Sequence, residues 1–581
     1  MDYKASLASL LSPIVQLDAA EILPFIESPP DPAMGHFAFP CFRLAKTLKK
    51  APPVIAQDVA EAVTMTALVL NEYHWIDRAV ATGPYVNFFL REAAFMDDTL
   101  RAVLAAGADY GKPAPAIQSA HAAQKILIEY SSPNIAKHFH PGHFANTVIG
   151  NALVRIYRHL GYDVTSINHL GDFGTQFGKL IVAYQRWGSR EEIERTEIDG
   201  LVKIYVKFHE EADHDPTLND EARTWVVKMQ DGNKEALELW QWFVTLSNRS
   251  FDRIYKRLDA TFDRVRGESY YTDKLDAAVQ TIRDKGILVE SEGAQIVDLE
   301  AYNLPPCMIL RSDGGTLYAT RDIAAALDRH AEYNFDKCIY IIANEQNTYC
   351  AQWFKVMELM GFPWAQNLLH VTYGMYRFES GKMSTRRGDV IKMEELIDEA
   401  VEKTRLIIEE KNPNLPNKES VAEQVGLGAL IFNRLYNSRI KDTVFNWQNM
   451  INFDGETGPY VQYCHARTCS VLDKAAEKGV LPAEFTDFDA SHLTGNEAFN
   501  VARILYDYPQ AIAEAADKNE PYLIARHLMA LAQAFNAFYH HNIILTDAAH
   551  IQTARLALTA AVQSVLQNGM QLLAIHAPRA M

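Results

Sequence analysis

The sequence predicts an α/β protein: a split, Rossmann-like parallel sheet carrying a helical insertion, followed by an all-helical bundle. Three observations lead there. Short apolar strands alternate with amphipathic helices through the middle of the chain. A charged, helix-patterned stretch from about 187 to 263 interrupts that alternation. From Val421 onward nearly every segment has the spacing of an amphipathic helix.

The alternation opens at KILIEY, from Lys125 to Tyr130, a short apolar strand. A loop follows, then a helix from about His143 to Leu160 that gathers Val148, Ile149, Ala152, Ile156, Tyr157 and Leu160 on one face, with Gly161 suited to its C-terminal cap. DVTSIN (Asp163 to Asn168) and KCIYIIA (Lys337 to Ala343) supply further strands. In the insertion, Leu201, Ile204, Tyr205 and Phe208 stand at helical spacing, as do Leu239, Phe243 and Leu246, then Phe251, Ile254 and Leu258. Two stretches read as linkers or loops: the Pro/Ala-rich Lys112 to Gln124, and KNPNLPNKES from Lys411 to Ser420. They divide the chain in three.

A chain of 581 residues is too long for one core, and 48% hydrophobic with 22% charged residues is ordinary for a globular protein. The N-terminus lacks a basic stretch followed by an apolar one, and no apolar run approaches the ~18 residues of a membrane span. The expectation is therefore a cytoplasmic protein with no membrane association. Six cysteines, none in a C-x-x-C pair, predict buried thiols rather than a disulfide framework or a structural metal. The net charge of −17 argues against a nucleic-acid partner, although a local basic face can work inside a negative whole.

The loop after the first strand, SSPNIAKHFHPGHFAN, contains His140-Pro141-Gly142-His143. A helix N-terminus offers free N–H groups to phosphate, a glycine admits a flat base, and two histidines donate to phosphate oxygens as charge builds. With 19 His and 29 Gly, H-x-G-H arises by chance in about 3 such chains in 100, so its place between strand and helix decides the matter. A second basic loop, Gly381 to Gly388, holds Lys382, Met383, Ser384, Thr385, Arg386 and Arg387 and suits a triphosphate. GDFGTQFG lacks dinucleotide-binding spacing, and His209 and His214, five apart, do not share a helix face as zinc ligands would. No P-loop is present.

In that order, EYSSPNIAKHFHPGH, NHLGDFGTQFGKL, LYATRDIAAA, GKMSTRRGDVI and GETGPYVQYCHAR resemble the signatures of arginyl-tRNA synthetases, class I enzymes. MGHFAFPCFRLAK and GPYVNFFL resemble that family's additional N-terminal domain. The resemblance implies an α+β N-terminal domain over 1–115 touching the tRNA elbow, a catalytic domain over 120–410, and an all-α anticodon-binding domain over 420–581. It implies ligation of L-arginine to its tRNA through an arginyl-adenylate, with ATP and Mg2+ as co-substrate, by a monomer.

The resemblance also places residues. A guanidinium is a planar fork of donors best met by carboxylates. The family assigns it to Glu268, Tyr318 and Asp322, and the substrate's amino end to Asn134 and Gln346. ATP falls to His140, Gly142, His143, Met383, Ser384 and Asp172, with His169 and Gln176 along the same floor. The second lysine of the family's Lys-Met-Ser-Lys loop is replaced by Thr385, so Lys137, Lys382 and Arg386 become the candidate cations for the leaving group. The tRNA falls to Asn87, Phe88 and Phe89 near the N-terminus, and to Tyr460, Tyr463, Tyr539 and Met581 at the other end; the tyrosines also have a bland reading as bundle core. Two competitors remain. One is a class I synthetase for another amino acid, or a nucleotidylyltransferase with the same ATP motifs. The other is a catalytically dead paralogue that binds RNA or a protein.

Overall fold

The computed structural model describes residues 2–29, 34–70, 73, 75–378, 391–480 and 487–581. The chain divides into two compact units. One comprises Met1–Tyr110, Thr468–Asp507 and Ala530–Val565; the other comprises Gly111–Arg467, Tyr508–Met529 and Leu566–Met581.

The first unit is built on a three-stranded antiparallel sheet in which β1 (Phe37–Pro40) and β2 (Ile76–Thr82) flank β3 (Tyr85–Leu90). Val86, Phe88 and Leu90 turn one face of β3 into the core. Helices Tyr3–Val15, Pro52–Val69 and Glu92–Ala106 accompany the sheet. The Tyr3 hydroxyl donates to Asp98 at 2.7 Å, and Phe95 packs its ring at 5.3 Å from both Phe499 and Tyr506.

The second unit holds a five-stranded parallel sheet. Its strands are β4 (Lys125–Glu129), β5 (Asp163–Asn168), β6 (Arg264–Val265), β7 (Lys337–Ala343) and β8 (Leu368–Tyr373), in the order β8-β7-β4-β5-β6. The chain winds from β4 outward through β5 and β6, then returns to the other side of β4 with β7. The crevice at the carboxyl ends of β4 and β7 is thus the topological switch point, where open α/β sheets place their ligands. The predicted strands β5 and β7 keep their expected bounds.

Helix α1 (Pro141–His159) follows β4, and Gly150 allows it to lie against Tyr130, since a Cβ there would stand 2.2 Å from the tyrosine. Helix α2 (Thr175–Trp187) leads into the insertion, whose helices are Arg190–Thr196, α3 (Ile198–Ala212), Thr217–Gln230 and α4 (Lys234–Arg257). Helix α5 (Tyr318–Tyr333) precedes β7 and α6 (Asn347–Leu359) follows it, while α7 (Met393–Lys411) and α8 (Lys418–Leu435) are joined by the predicted linker. The long C-terminal helices span Gly458–Glu477, Asn496–Asp517, Tyr522–His541 and Ala549–Leu572. No single helix among the described residues is long and apolar enough to cross a membrane.

Two expectations are corrected. The stretch from Lys112 to Gln124 is not a plain linker: Pro115–Ala122 is helical. Proline at the first helical position needs no N–H partner, and the alanines and glutamine behind it favour helix. Stacking of His121 on Tyr162 at 4.0 Å and a bond between its ring and the Leu160 carbonyl hold it down. The region after Val421 is not wholly helical either, because Thr443–Phe445 pairs in parallel with Tyr376–Phe378.

Candidate functional site

The loop after β4 turns sharply. Ser131, Ser132 and Ala136 all take positive φ (73°, 49° and 56°), a strained run that surrounding bonds must hold. Ser131 N–H donates to Asn146 Oδ1 at 2.7 Å, its hydroxyl pairs with the Tyr255 hydroxyl at 2.8 Å, and Ser132 N–H donates to Asn168. The loop ends on His140, which caps α1: its Nδ1 accepts from Gly142 N–H at 3.0 Å and from His143 N–H at 3.4 Å. His143 Nδ1 in turn faces the His140 N–H at 3.4 Å, and the rings stack at 3.7 Å. Gly142 is required here for a second reason, since a Cβ would stand 2.8 Å from His140 Cε1.

This cap settles the tautomers. With each Nδ1 accepting, each ring carries its proton on Nε2, the nitrogen left to donate to a ligand. Burial and the charge of Lys137 push His140 down to about 4, and burial holds His143 well below the ordinary histidine value. Both rings are neutral donors near pH 7. Lys137 is itself exposed and close enough to act on both, with its own pKa lowered by partial desolvation.

The remaining predicted residues stand at other strand ends. Asn134 forms a bridge to Gly171 in the loop after β5, where a Cβ on Gly171 would lie 2.4 Å from the Asn134 Oδ1. Asp172 is buried, and its carboxylate accepts from Ser269 N–H and Oγ at 2.8 and 2.7 Å. His169 bonds the Arg266 carbonyl, and Gln176 donates to the Gly171 carbonyl. Glu268, just past β6, is anchored by its N–H to Leu170 O. Gln346 lies exposed just beyond β7. Tyr318 opens α5 and is 67% exposed, which removes it from the core, and the Tyr205 phenol of the insertion stands near it.

Asp322 is half-buried in the first turns of α5 and accepts the Tyr349 hydroxyl. Its neighbours include Glu268 and Glu129, and burial raises both Asp322 and Glu268 to about 7. Glu129 is matched by Arg329 at 2.5 Å, a deeply buried pair. The pocket therefore concentrates carboxylates in a desolvated place, which suits a cation with donors in a plane.

Lys382, Met383, Ser384, Thr385 and Arg386 lie outside the described residues. The tRNA candidates fare unevenly. Phe88 is fully buried under the N-terminal sheet, so the expected contact with RNA is corrected: it is core. Asn87 is also buried, donating to Thr82 Oγ1, while Phe89 is covered by the Arg78 guanidinium at 3.9 Å. Tyr463 and Met581 border one cavity of about 440 Å3, together with Phe453, Arg467 and Asn412. Tyr460 is half-buried, one turn away. Tyr539 belongs to the other compact unit, 36% exposed.

Residues 102–447 match the family model described as tRNA synthetases class I (R), catalytic domain; 461–581 match the DALR anticodon binding domain; and 1–90 match the arginyl tRNA synthetase N terminal domain. The arginine–tRNA ligase of Alkaliphilus metalliredigens is 47% identical over 582 residues, covering 100% of both chains. The chain belongs to the arginyl-tRNA synthetases. A second relative, the arginine–tRNA ligase of Clostridioides difficile, is 46% identical across 100% of both chains. Among solved structures, the arginyl-tRNA synthetase of Thermus thermophilus superposes with a TM-score of 0.81 at 26% identity, over 99% of each chain. Class I arginyl-tRNA synthetases use ATP.

Four contributors escaped the sequence reading: Tyr349, Glu129, Trp240, whose indole N–H donates to Asp172 O at 2.7 Å, and Arg467, whose guanidinium lies 5.0 Å from the Tyr463 ring. Only Arg467 left a local signal. It stands four residues after Tyr463, on the same helical face.

Proposed function

We propose that this arginine–tRNA ligase activates arginine at the carboxyl ends of β4 and β7. The carrying observation is that two desolvated acids, Asp322 and Glu268, lie close enough for Glu268 to act on Asp322, in a domain whose first helix is capped by neutral histidines. Glu268, Asp322 and Tyr318 take the guanidinium, and Asn134 and Gln346 take the amino group. ATP enters as its magnesium complex, with the ion carried on the phosphates. A carboxylate oxygen of arginine attacks the α-phosphorus and pyrophosphate leaves with the electron pair of the broken P–O bond. The Nε2–H groups of His140 and His143 donate to the phosphate oxygens as charge grows there, and Lys137 adds a cation beside them; Lys382 and Arg386 are further candidates. The 2′-hydroxyl of the terminal adenosine then attacks the adenylate carbonyl. The C–O bond to the phosphate breaks, AMP leaves with its electron pair and takes up the hydroxyl proton, and arginine is esterified to tRNA. No protein nucleophile is involved.

The division of labour follows the expected domains: 1–115 at the tRNA elbow, 120–410 for chemistry, 420–581 for the anticodon. The cavity bordered by Tyr463, Arg467 and Met581 suits one unpaired base, stacked on the tyrosine and hydrogen-bonded at its edge. We take the working protein to be a cytoplasmic monomer. The test is charging of total tRNA with labelled arginine, by wild type and by Asp322→Ala. Loss of charging in the variant, with its fold and ATP affinity intact, supports the assignment; full charging by the variant removes it.

A further inference from the structure

The carboxylate assigned to the substrate is already in the hands of another guanidinium. Arg321 Nη1 donates to Glu268 Oε2 at 2.9 Å, and both side chains are only 15% exposed. Arg321 sits between Tyr318 and Asp322 on the first turns of α5, so three successive contributors to the pocket include one with the substrate's own head group. Its guanidinium carbon lies 5.6 Å from the Phe173 ring and 5.5 Å from the Tyr318 ring, a slot that a planar cation fills well.

The bond pattern marks this pair as exchangeable. Arg257 and Glu423, a structural pair in the same unit, are joined by two bonds of 2.8 and 3.1 Å, one to each carboxylate oxygen. Arg321 reaches Glu268 by one, and its buried Nε has no acceptor among the described residues. A buried donor left unmade costs free energy that a better arrangement recovers. A ligand guanidinium meeting Glu268 with two parallel bonds beats a fork that meets it with one.

We propose that Arg321 is an internal competitor for Glu268, a positioning residue whose guanidinium holds the carboxylate until the guanidinium of arginine displaces it. The inference rests on the reading of Glu268 as a substrate ligand. Between turns of the enzyme Arg321 partners a desolvated acid and opposes the rise that burial gives its pKa, and arginine binding is an exchange of one guanidinium for another. An incumbent that holds Glu268 nine-tenths of the time weakens the apparent affinity of any ligand needing it by about tenfold.

The test is calorimetric titration of L-arginine and agmatine, which keeps the guanidinium but lacks the carboxylate, into wild type and Arg321→Met at pH 8.5. Methionine preserves length and packing between the two rings without the charge. We expect both ligands to bind about tenfold more tightly to the variant, while citrulline, which has no cation to offer Glu268, gains nothing. In pyrophosphate exchange the KM for arginine falls and that for ATP holds. Should Arg321→Met not fold, Arg321→Lys replaces it, with tightening in the same direction and smaller. Unchanged or weaker binding of arginine and agmatine by the variant overturns the proposal, because Arg321 would then support the pocket or ignore it. Glu268→Gln in the wild-type background separates the parent reading. If that change leaves arginine affinity intact, Glu268 is not a substrate ligand and the proposal falls with it; if it weakens binding while Arg321→Met does not strengthen it, only the competitor role is lost.

Discussion

Arginine binding should be strongly pH-dependent in a window where ordinary carboxylates are silent. Glu268 and Asp322 are both raised to about 7, chiefly by burial, and the charge of Glu268 acts on Asp322. A substrate guanidinium needs them ionised. Between pH 8 and pH 6, one group of pKa about 7 loses about tenfold in its ionised fraction, and two lose about a hundredfold. The histidines do not blur the window, since His140 lies at about 4 and His143 is held well below the ordinary value. The assay is the KM for arginine in pyrophosphate exchange, at saturating ATP and tRNA, from pH 6 to pH 8.5. KM should rise as pH falls, and Asp322→Asn should remove one of the two protons from the slope. The free protein's stability has the opposite sign. Both folded pKa values exceed the ordinary carboxylate range, so the stability these groups contribute is complete below about pH 4 and lost as pH rises through about 7. The thermal shift given by arginine should therefore grow from pH 6 to pH 8. A KM for arginine that stays flat across this range, with the fold intact, refutes the argument that these desolvated acids receive the guanidinium.

Three further outcomes follow from particular contacts. Gly171→Ala places a Cβ 2.4 Å from Asn134 Oδ1, so it should displace that amide and raise the KM for arginine about tenfold, the value of one hydrogen bond to a charged group; an unchanged KM would mean Asn134 is no ligand. His143→Ala should slow adenylate formation by roughly 2–4 kcal/mol in barrier while leaving ATP affinity nearly intact, measured by exchange rate against ATP concentration. Tyr463→Ala should raise the KM for tRNA through the loss of about 1–3 kcal/mol of base stacking, with no change in the KM for arginine or ATP; an equal rise in all three would point to unfolding of the helix rather than a lost base contact.

Much of the central fold was legible because its signals are local. Periodicity and strand length marked β4, β5, β7 and α1, and the charged texture from 187 to 263 marked the insertion. The Pro/Ala-rich stretch from Lys112 to Gln124 reads as a linker because proline serves both to stop a helix and to start one; the stacking of His121 on Tyr162, forty-odd residues on, favours the helix. The pairing of Thr443–Phe445 with Tyr376–Phe378 is non-local and short, and leaves no pattern in either segment. Phe88 illustrates the complementary limit: a motif aromatic suggests a surface contact, but alternation along β3 sends it inward beside Val86 and Leu90. In the site, residue types within motifs were readable, but their supports were not. Tyr349 reaches Asp322 from another helix, and Trp240 reaches Asp172 from the insertion, so neither is signalled by spacing.

The most direct test is pyrophosphate exchange with ATP and each of the twenty amino acids, run without tRNA, with intact arginine tRNA, and with that tRNA oxidised at its terminal ribose. Thr385 occupies the sequence position where the family's loop has a second lysine, and acids in the proposed pocket would repel ATP phosphates, so we expect the ATP site to need remote binding energy to assemble. Exchange is expected with arginine, strong with intact tRNA, partial with the oxidised form and essentially absent without tRNA. Lysine leaves the carboxylate pair poorly matched, at a cost of roughly 2–5 kcal/mol, and should be turned over far more slowly. Comparable exchange with lysine or any other amino acid would contradict the assignment of the pocket to a guanidinium, and full exchange with arginine in the absence of tRNA would contradict the claim that tRNA completes the site.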